Sequence, residues 1–366
     1  MSIRVAAIGV SHWHAVYDAA YLRHLVAMPG VQLVAIQDDD AAVVQRRAAQ
    51  LGVEQPPACY TAVNTLLDQA RPDFVLALGR HDRQAALAHE LLERRLPFLM
   101  EKPMGLNAGE VRSIADRARA LGAFVAAPLP QRHSPFMRQA LAMRERFGPL
   151  SHLYIRMNRF SSARYTAWDS GWMLDPAASG GGCLRNLGVH AFDVFLQLTG
   201  ETAEVTAAQL SARTLGTPVE DYVTVLLRSA SGVLGTVEIG NVYPRRTTEG
   251  AAKPLPGRDK LLDGADGEWK VCGRDALLMA KDGLLRIVDR DGEETLPGEP
   301  DVAPARRVLE ETLAAWRDGA PPPASADDCW RGVQLIDQAY AATATPQARR
   351  HALAHPMGRD EPTEAP

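Results

Sequence analysis

What this sequence is short of narrows it first. Of 366 residues only four are cysteines, Cys59, Cys183, Cys272 and Cys329, spaced far apart with no CxxC pair. Neither a disulfide framework nor a zinc knuckle is suggested, and reduced thiols in a cytoplasmic compartment are expected. No apolar run approaches the roughly 20 residues that span a bilayer, and the N-terminus passes straight into a strand pattern, so neither membrane insertion nor export is expected. A formal charge of -4 gives no electrostatic reason to expect nucleic acid or an anionic membrane as partner. Internal repeats and low-complexity domains are also missing.

What is present is enough chain for two domains, since single cores seldom grow past about 250 to 300 residues. Residues 1–128 alternate near-continuous apolar runs ("RVAAIGV", "VQLVAIQ", "DFVLALG", "PFLME", "AFVAAP") with helical patterns at 15–29, 41–52, 82–95 and 107–122. That rhythm predicts a doubly wound parallel sheet of the Rossmann type, covered on both faces. Residues 129–343 change to alternating strands, including a hairpin turned at Ser229-Ala230-Ser231-Gly232, with helices near 182–198, 304–317 and 326–343. They predict a large, mostly antiparallel open sheet, an α+β domain. The polar, aperiodic segment 344–366 reads as a mobile tail.

The first strand ends in "IGVSHWH", residues 8–14, where a dinucleotide-binding chain places its glycine-rich turn. Gly9 is kept, while Ser11 and His14 stand at the second and third glycine positions. Backbone N–H groups at a helix start can still bind pyrophosphate whatever the side chains are. Asp38 closes the second strand at the spacing of the acid that holds the adenosine ribose. Three consecutive acids, Asp38 to Asp40, would repel a 2′-phosphate, which favours NAD over NADP. A metal reading of His12 and His14 needs a third ligand at a recognised spacing, and none is nearby, so no metal is expected.

Lys102, in "MEKPMG", falls at the carboxyl edge of the parallel sheet, where open α/β sheets bind ligands. There it can hydrogen-bond a hydroxyl substrate. In "SGGGCLRNLGVHAFDVFLQLTG", residues 179–200, helical periodicity gathers Asn186, His190, Asp193 and Gln197 beside an apolar stripe. A histidine one turn from an amide and one turn from a carboxylate can be oriented as a general acid/base. Three successive glycines, 180–182, are costly unless the backbone must approach something closely, a nicotinamide or substrate being the natural candidate.

These segments, with "EDYVTVLLRSASGVLGTVEIG" at 220–240, resemble the glucose-fructose oxidoreductase, inositol dehydrogenase and rhizopine-catabolism (Gfo/Idh/MocA) family to about residue 343. The resemblance implies an NAD(P)-dependent dehydrogenase or reductase acting on CH–OH groups of a sugar, polyol or related hydroxy compound. It implies a homodimer or homotetramer built through the C-terminal sheet. In that reading Lys102 contacts the reacting hydroxyl, His190 takes or gives its proton, and Gly9, Ser11, His12, His14, Asp38, Gly79, Arg80, His81, Glu101 and Lys102 line the cofactor. Arg132, Asn158 and Tyr243 join Lys102, Asn186 and His190 on the substrate side, while Trp172 and Asp175 read either as closing the pocket or as a core tryptophan and a turn aspartate. Two positions depart from the family pattern: Asn186 replaces an aspartate, and Gly79-Arg80-His81 replaces a Thr-Pro-Asn-like turn. Those departures keep open a non-catalytic dinucleotide-binding regulator or sensor, and an NAD-assisted glycosidase or eliminase.

Overall fold

The computed structural model describes residues 2–160, 162–243, 266–298 and 304–343. The segment read as a tail, 344–366, lies outside them.

Six short strands, β1 (Ile3–Ile8), β2 (Val31–Gln37), β3 (Ala58–Tyr60), β4 (Phe74–Ala77), β5 (Phe98–Met100) and β6 (Val125–Ala126), form a parallel sheet ordered β3-β2-β1-β4-β5-β6. Their continuous apolar character follows from burial on both faces. Along β1, Ala6 and Ile8 join one hydrophobic cluster while Val5 and Ala7 join another; along β4, Val75 and Ala77 part from Phe74 and Leu76 in the same way. Alternate side chains thus feed two cores, one per helical layer. The helices of this half are α1 (Tyr21–Ala27), α2 (Ala41–Leu51), α3 (Val63–Ala70), α4 (His81–Glu93) and α5 (Ala108–Leu121). Asp40 caps α2 through the N–H groups of Ala42 and Val43, and Asn107 caps α5 through that of Glu110.

One predicted helix is corrected. Instead of a helix over 15–29 there is a single 3-10 turn at Trp13–Ala15, and α1 starts only at Tyr21. The reason is aromatic: Trp13 packs against Tyr165, with ring centroids 5.1 Å apart, and Tyr17 stacks on Trp168 at 5.4 Å. The chain is drawn off the helical path to make those contacts.

The second half carries α6 (Pro135–Ala142), α7 (Ala163–Ala167), α8 (Pro176–Ser179), α9 (Cys183–Thr199), α10 (Pro304–Arg317) and α11 (Ala326–Thr343). Its sheet has eight strands: β7 (Leu150–Phe160), β8 (Ala203–Ser211), β9 (Tyr222–Ser229), β10 (Leu234–Tyr243), β11 (Asp266–Gly273), β12 (Ala276–Lys281), β13 (Leu284–Asp289) and β14 (Gly292–Pro297). They run in the order β14-β13-β12-β11-β7-β10-β9-β8, antiparallel except for β7 beside β10. One face is apolar, with Leu153, Ile155, Val225, Val237 and Ile239 buried beneath α9. Tyr154, Arg156, Glu238 and Glu268 form a polar network on the other.

Helix α9 is buried almost all round, polar stripe included. The glycine run before it has a different cause from the one expected. A side chain at Gly182 would collide with the backbone of Glu220, and one at Gly181, whose φ is +142°, with the hydroxyl of Tyr340. The close approach is to the protein's own chain.

Candidate active site

The turns that follow β1, β2, β4 and β5 converge at the carboxyl edge of the parallel sheet, and α9 reaches them from the second half. Gly9 and Gly79 abut with positive φ, so close that a side chain on Gly9 would collide with the Gly79 backbone. Asp38, nearly buried, accepts the Ser11 N–H at 2.7 Å. Asp39 pairs with Arg83 on α4, a cation that sequence proximity does not place there.

Lys102 is 1% exposed, and its Nζ donates to the carbonyl and the Oδ1 of Asn186 at 2.8 and 2.6 Å. An ammonium accepts nothing, so it fixes the orientation of the Asn186 amide and turns Nδ2 to the Tyr165 hydroxyl, 2.6 Å away. Burial pulls the Lys102 amine below its ordinary value against the opposing pull of Glu101. His190, one turn beyond Asn186, is also buried, and its Nδ1 has no hydrogen-bond partner among the described residues. Burial, followed by Lys102 and Arg159, pushes its pKa well below 6.5, so the ring is neutral near pH 7.

Beside Lys102, His14 Nδ1 meets Glu101 Oε1 at 2.6 Å, and its Nε2 lies 3.6 Å from Asp18, which Arg159 flanks at the same distance. Burial alone would raise the Glu101 carboxyl, but His14, His12 and Lys102 hold it at about 2. His14 is raised in turn, because Glu101 and Asp18 outweigh its burial. His12 stacks on Trp13 at 3.9 Å and accepts the His14 N–H on Nδ1. His81 Nδ1 bonds the Ser179 carbonyl at 2.8 Å, and Trp172 meets the His81 ring edge-on at 5.0 Å.

His12, His14 and Glu101 each offer a ligand atom within 4.8 Å of the others. The third group missing from the local spacing therefore comes from the end of β5. Their hydrogen bonds argue for a different use. With Nδ1 accepting an N–H, a neutral His12 carries its proton on Nε2 and presents a donor, not a lone pair.

Several buried polar atoms of this edge lack a partner among the described residues: His12 Nε2, His81 Nε2, Glu101 Oε2, His190 Nδ1 and Trp172 Nε1. Leaving such atoms unpaired costs about 1 to 3 kcal/mol each, so their concentration here marks a site completed by a ligand.

Residues 3–127 match the profile described as "Oxidoreductase family, NAD-binding Rossmann fold", and residues 137–272 match "GFO/IDH/MocA C-terminal domain". The chain belongs to the GFO/IDH/MocA family. It is similar to the rhizopine catabolism protein MocA of Rhizobium meliloti, 29% identical over 192 residues that cover 50% of this chain and 57% of that protein. It is likewise similar to trans-1,2-dihydrobenzene-1,2-diol dehydrogenase of Sus scrofa, 28% identical over 209 residues, 54% of this chain and 59% of the relative. These matches thus span under two thirds of the relatives' own length. Among solved structures, an oxidoreductase from Agrobacterium radiobacter in complex with NAD+, L-tartaric acid and magnesium superposes with a TM-score of 0.78 at 15% identity, covering 94% of this chain and 97% of that one. That likeness concerns the fold.

In this family setting the orphaned atoms suit the polar groups of a dinucleotide and its substrate, and Asp38 suits a ribose. No α-helix starts at the glycine turn, and the N–H groups of Ser11, His12 and His14 already go to Asp38, Gly9 and His12. Arg132 makes a two-pronged pair with Asp193 at 2.6 and 2.9 Å and a third contact with Asp328 at 3.2 Å. The same pair removes Asp193 as a partner for His190. Arg80 bonds Asp82, and Asn158 Oδ1 accepts the Val242 N–H, while Tyr243 ends β10 half-buried.

Sequence reasoning missed Tyr165, Trp13, Asp18 and Arg159. "SSARYTAWDS" carries no period and no recognised motif, so nothing in it marked Tyr165.

Proposed function

We propose that this protein is an NAD-dependent dehydrogenase that moves hydride between nicotinamide and the hydroxyl-bearing carbon of a sugar, polyol or related hydroxy compound. The observation that carries the reading is Lys102, an ammonium buried at the carboxyl edge of the NAD-binding sheet and held by Asn186 one turn from an unpartnered His190. The bound dinucleotide would supply the redox chemistry; the chain supplies position and electrostatics. Lys102 polarises the reacting oxygen. His190, whose Nδ1 has no partner among the described residues, meets that hydroxyl and takes or gives its proton. His12, His81 and Glu101 hold polar groups at the cofactor end. The division at residue 128 into a cofactor half and a substrate half, and a homodimer or homotetramer through the second sheet, belong to the same reading.

NAD is favoured over NADP because Asp38 keeps its carboxylate at the ribose position. In Asp38→Ser, NAD affinity should fall about tenfold or more, the worth of charge-assisted hydrogen bonds, while NADP affinity falls less. Calorimetric titration of both dinucleotides checks it; equal losses would remove Asp38 from the ribose site. The activity itself is tested by following NADH formation over a panel of polyols, sugars and hydroxy acids. Turnover with at least one is expected, and tight NAD binding with no turnover on any would favour a sensor.

A further inference from the structure

Tyr165 has the geometry to carry the proton of the reaction. Its side chain is 1% exposed, on α7, and its ring packs against Trp13. Two donors converge on its oxygen: Asn186 Nδ2 at 2.6 Å and Arg164 Nη2 at 3.3 Å. Because Lys102 fixes the Asn186 amide, Nδ2 cannot exchange places with Oδ1 to become an acceptor. Both lone pairs of the phenol oxygen are thereby filled, and the O–H must donate elsewhere. Among the described residues no acceptor takes it. A buried hydroxyl whose hydrogen has no destination is costly unless a ligand supplies one.

We propose that Tyr165 is a proton-transferring residue of this site, an inference that rests on the dehydrogenase reading above. A bound nicotinamide dinucleotide would supply the hydride for reduction; the substrate oxygen that gains the C=O π pair would take the Tyr165 proton, the phenol O–H bond breaking as the alcohol O–H forms. The phenolate left behind accepts the N–H bonds of Asn186 and Arg164 and regains a proton from solvent. Oxidation would be the reverse, the phenolate taking the hydroxyl proton while a bound oxidised dinucleotide would accept the hydride. Asn186 then has a definite use. It bridges the ammonium that polarises the substrate oxygen and the phenol that exchanges its proton, a link in which an aspartate would place a negative charge beside the developing phenolate. Around Tyr165 the charged groups are Arg164 and, through Asn186, Lys102.

The test is Tyr165→Phe, which keeps the ring and its packing on Trp13. With a substrate that the wild type turns over, kcat is expected to fall about 10²-fold or more, with NAD affinity and thermal midpoint close to wild type. A second readout does not depend on turnover by the variant. In the dinucleotide complex, the ultraviolet tyrosinate difference between wild type and Tyr165→Phe titrates with pH, and its midpoint should coincide with a limb of the wild-type kcat/KM profile. Unchanged kcat in the variant, or a tyrosinate midpoint matching no limb, would overturn the proposal while leaving the dehydrogenase reading standing. A wild type inactive on the whole panel would overturn both.

Discussion

Replacing Lys102 by methionine is expected to lower kcat by about 10²- to 10³-fold, the range found for removing one preorganised electrostatic donor from a reaction site. Methionine fills nearly the same space, and the change removes two hydrogen bonds, both with Asn186, and the cation–π contact with the Trp13 ring at 5.9 Å. Stability should change little, because losing those bonds is offset by no longer burying an ammonium. NAD affinity should stay within a few-fold of wild type. Steady-state kinetics with calorimetric NAD binding separates the outcomes: a raised KM at constant kcat would make Lys102 a binding group only.

Acidification is the second large effect. His12, His81 and His190 are all held below their ordinary 6.5, by burial first, with His81 at about 3. The folded protein keeps them neutral while the unfolded chain takes up protons at about 6.5. Their stabilisation is therefore present above that pH and is lost as pH falls through it, roughly 1.4 kcal/mol per unit for each histidine. His14 has the opposite sign: its raised pKa contributes stability below 6.5 that disappears as pH rises through the folded value. Glu101 and Asp18, both depressed, stay ionised through this window and lose their stabilisation only as pH falls below the ordinary carboxylate values and on through the folded ones. Three depressed histidines against one raised give a net loss of stability from pH 7.5 to 5.5. Urea unfolding at constant m-value should show it, and a midpoint that holds steady or rises on acidification would mean that these rings are not buried and neutral.

Much of this architecture was legible before any coordinates. Near-continuous apolar runs marked the parallel strands because both faces of that sheet are covered, and alternation marked the second sheet because only one face is. Helices α10 and α11 stand where their periodicity put them. The first helix was misplaced because its start is decided by contacts of Trp13 and Tyr17 with residues some 150 positions away, and local propensity carries no trace of them.

The candidate site divides along the same line. Lys102 and His190 were visible because each stands at a position with a geometric meaning, a strand end and a helix stripe. The pairing of Glu101 with His14, the amide of Asn186 poised between Lys102 and Tyr165, and the capture of Arg132 by Asp193 are long-range events. The pairing of Arg132 with Asp193, 61 positions on, leaves no local trace in the sequence. The triple glycine teaches the same lesson, its tight approach being to Glu220 and Tyr340.

The central claim is that hydride leaves a hydroxyl-bearing carbon for the dinucleotide at the Lys102 edge of the sheet. The most direct measurement uses a turned-over polyol deuterated at its carbinol carbons, with mass analysis of the dinucleotide after a single turnover. One deuterium in the reduced nicotinamide, formed far more slowly by Lys102→Met, is the expected result. A dinucleotide that binds but emerges without deuterium from every polyol, sugar and hydroxy acid tried would contradict the account.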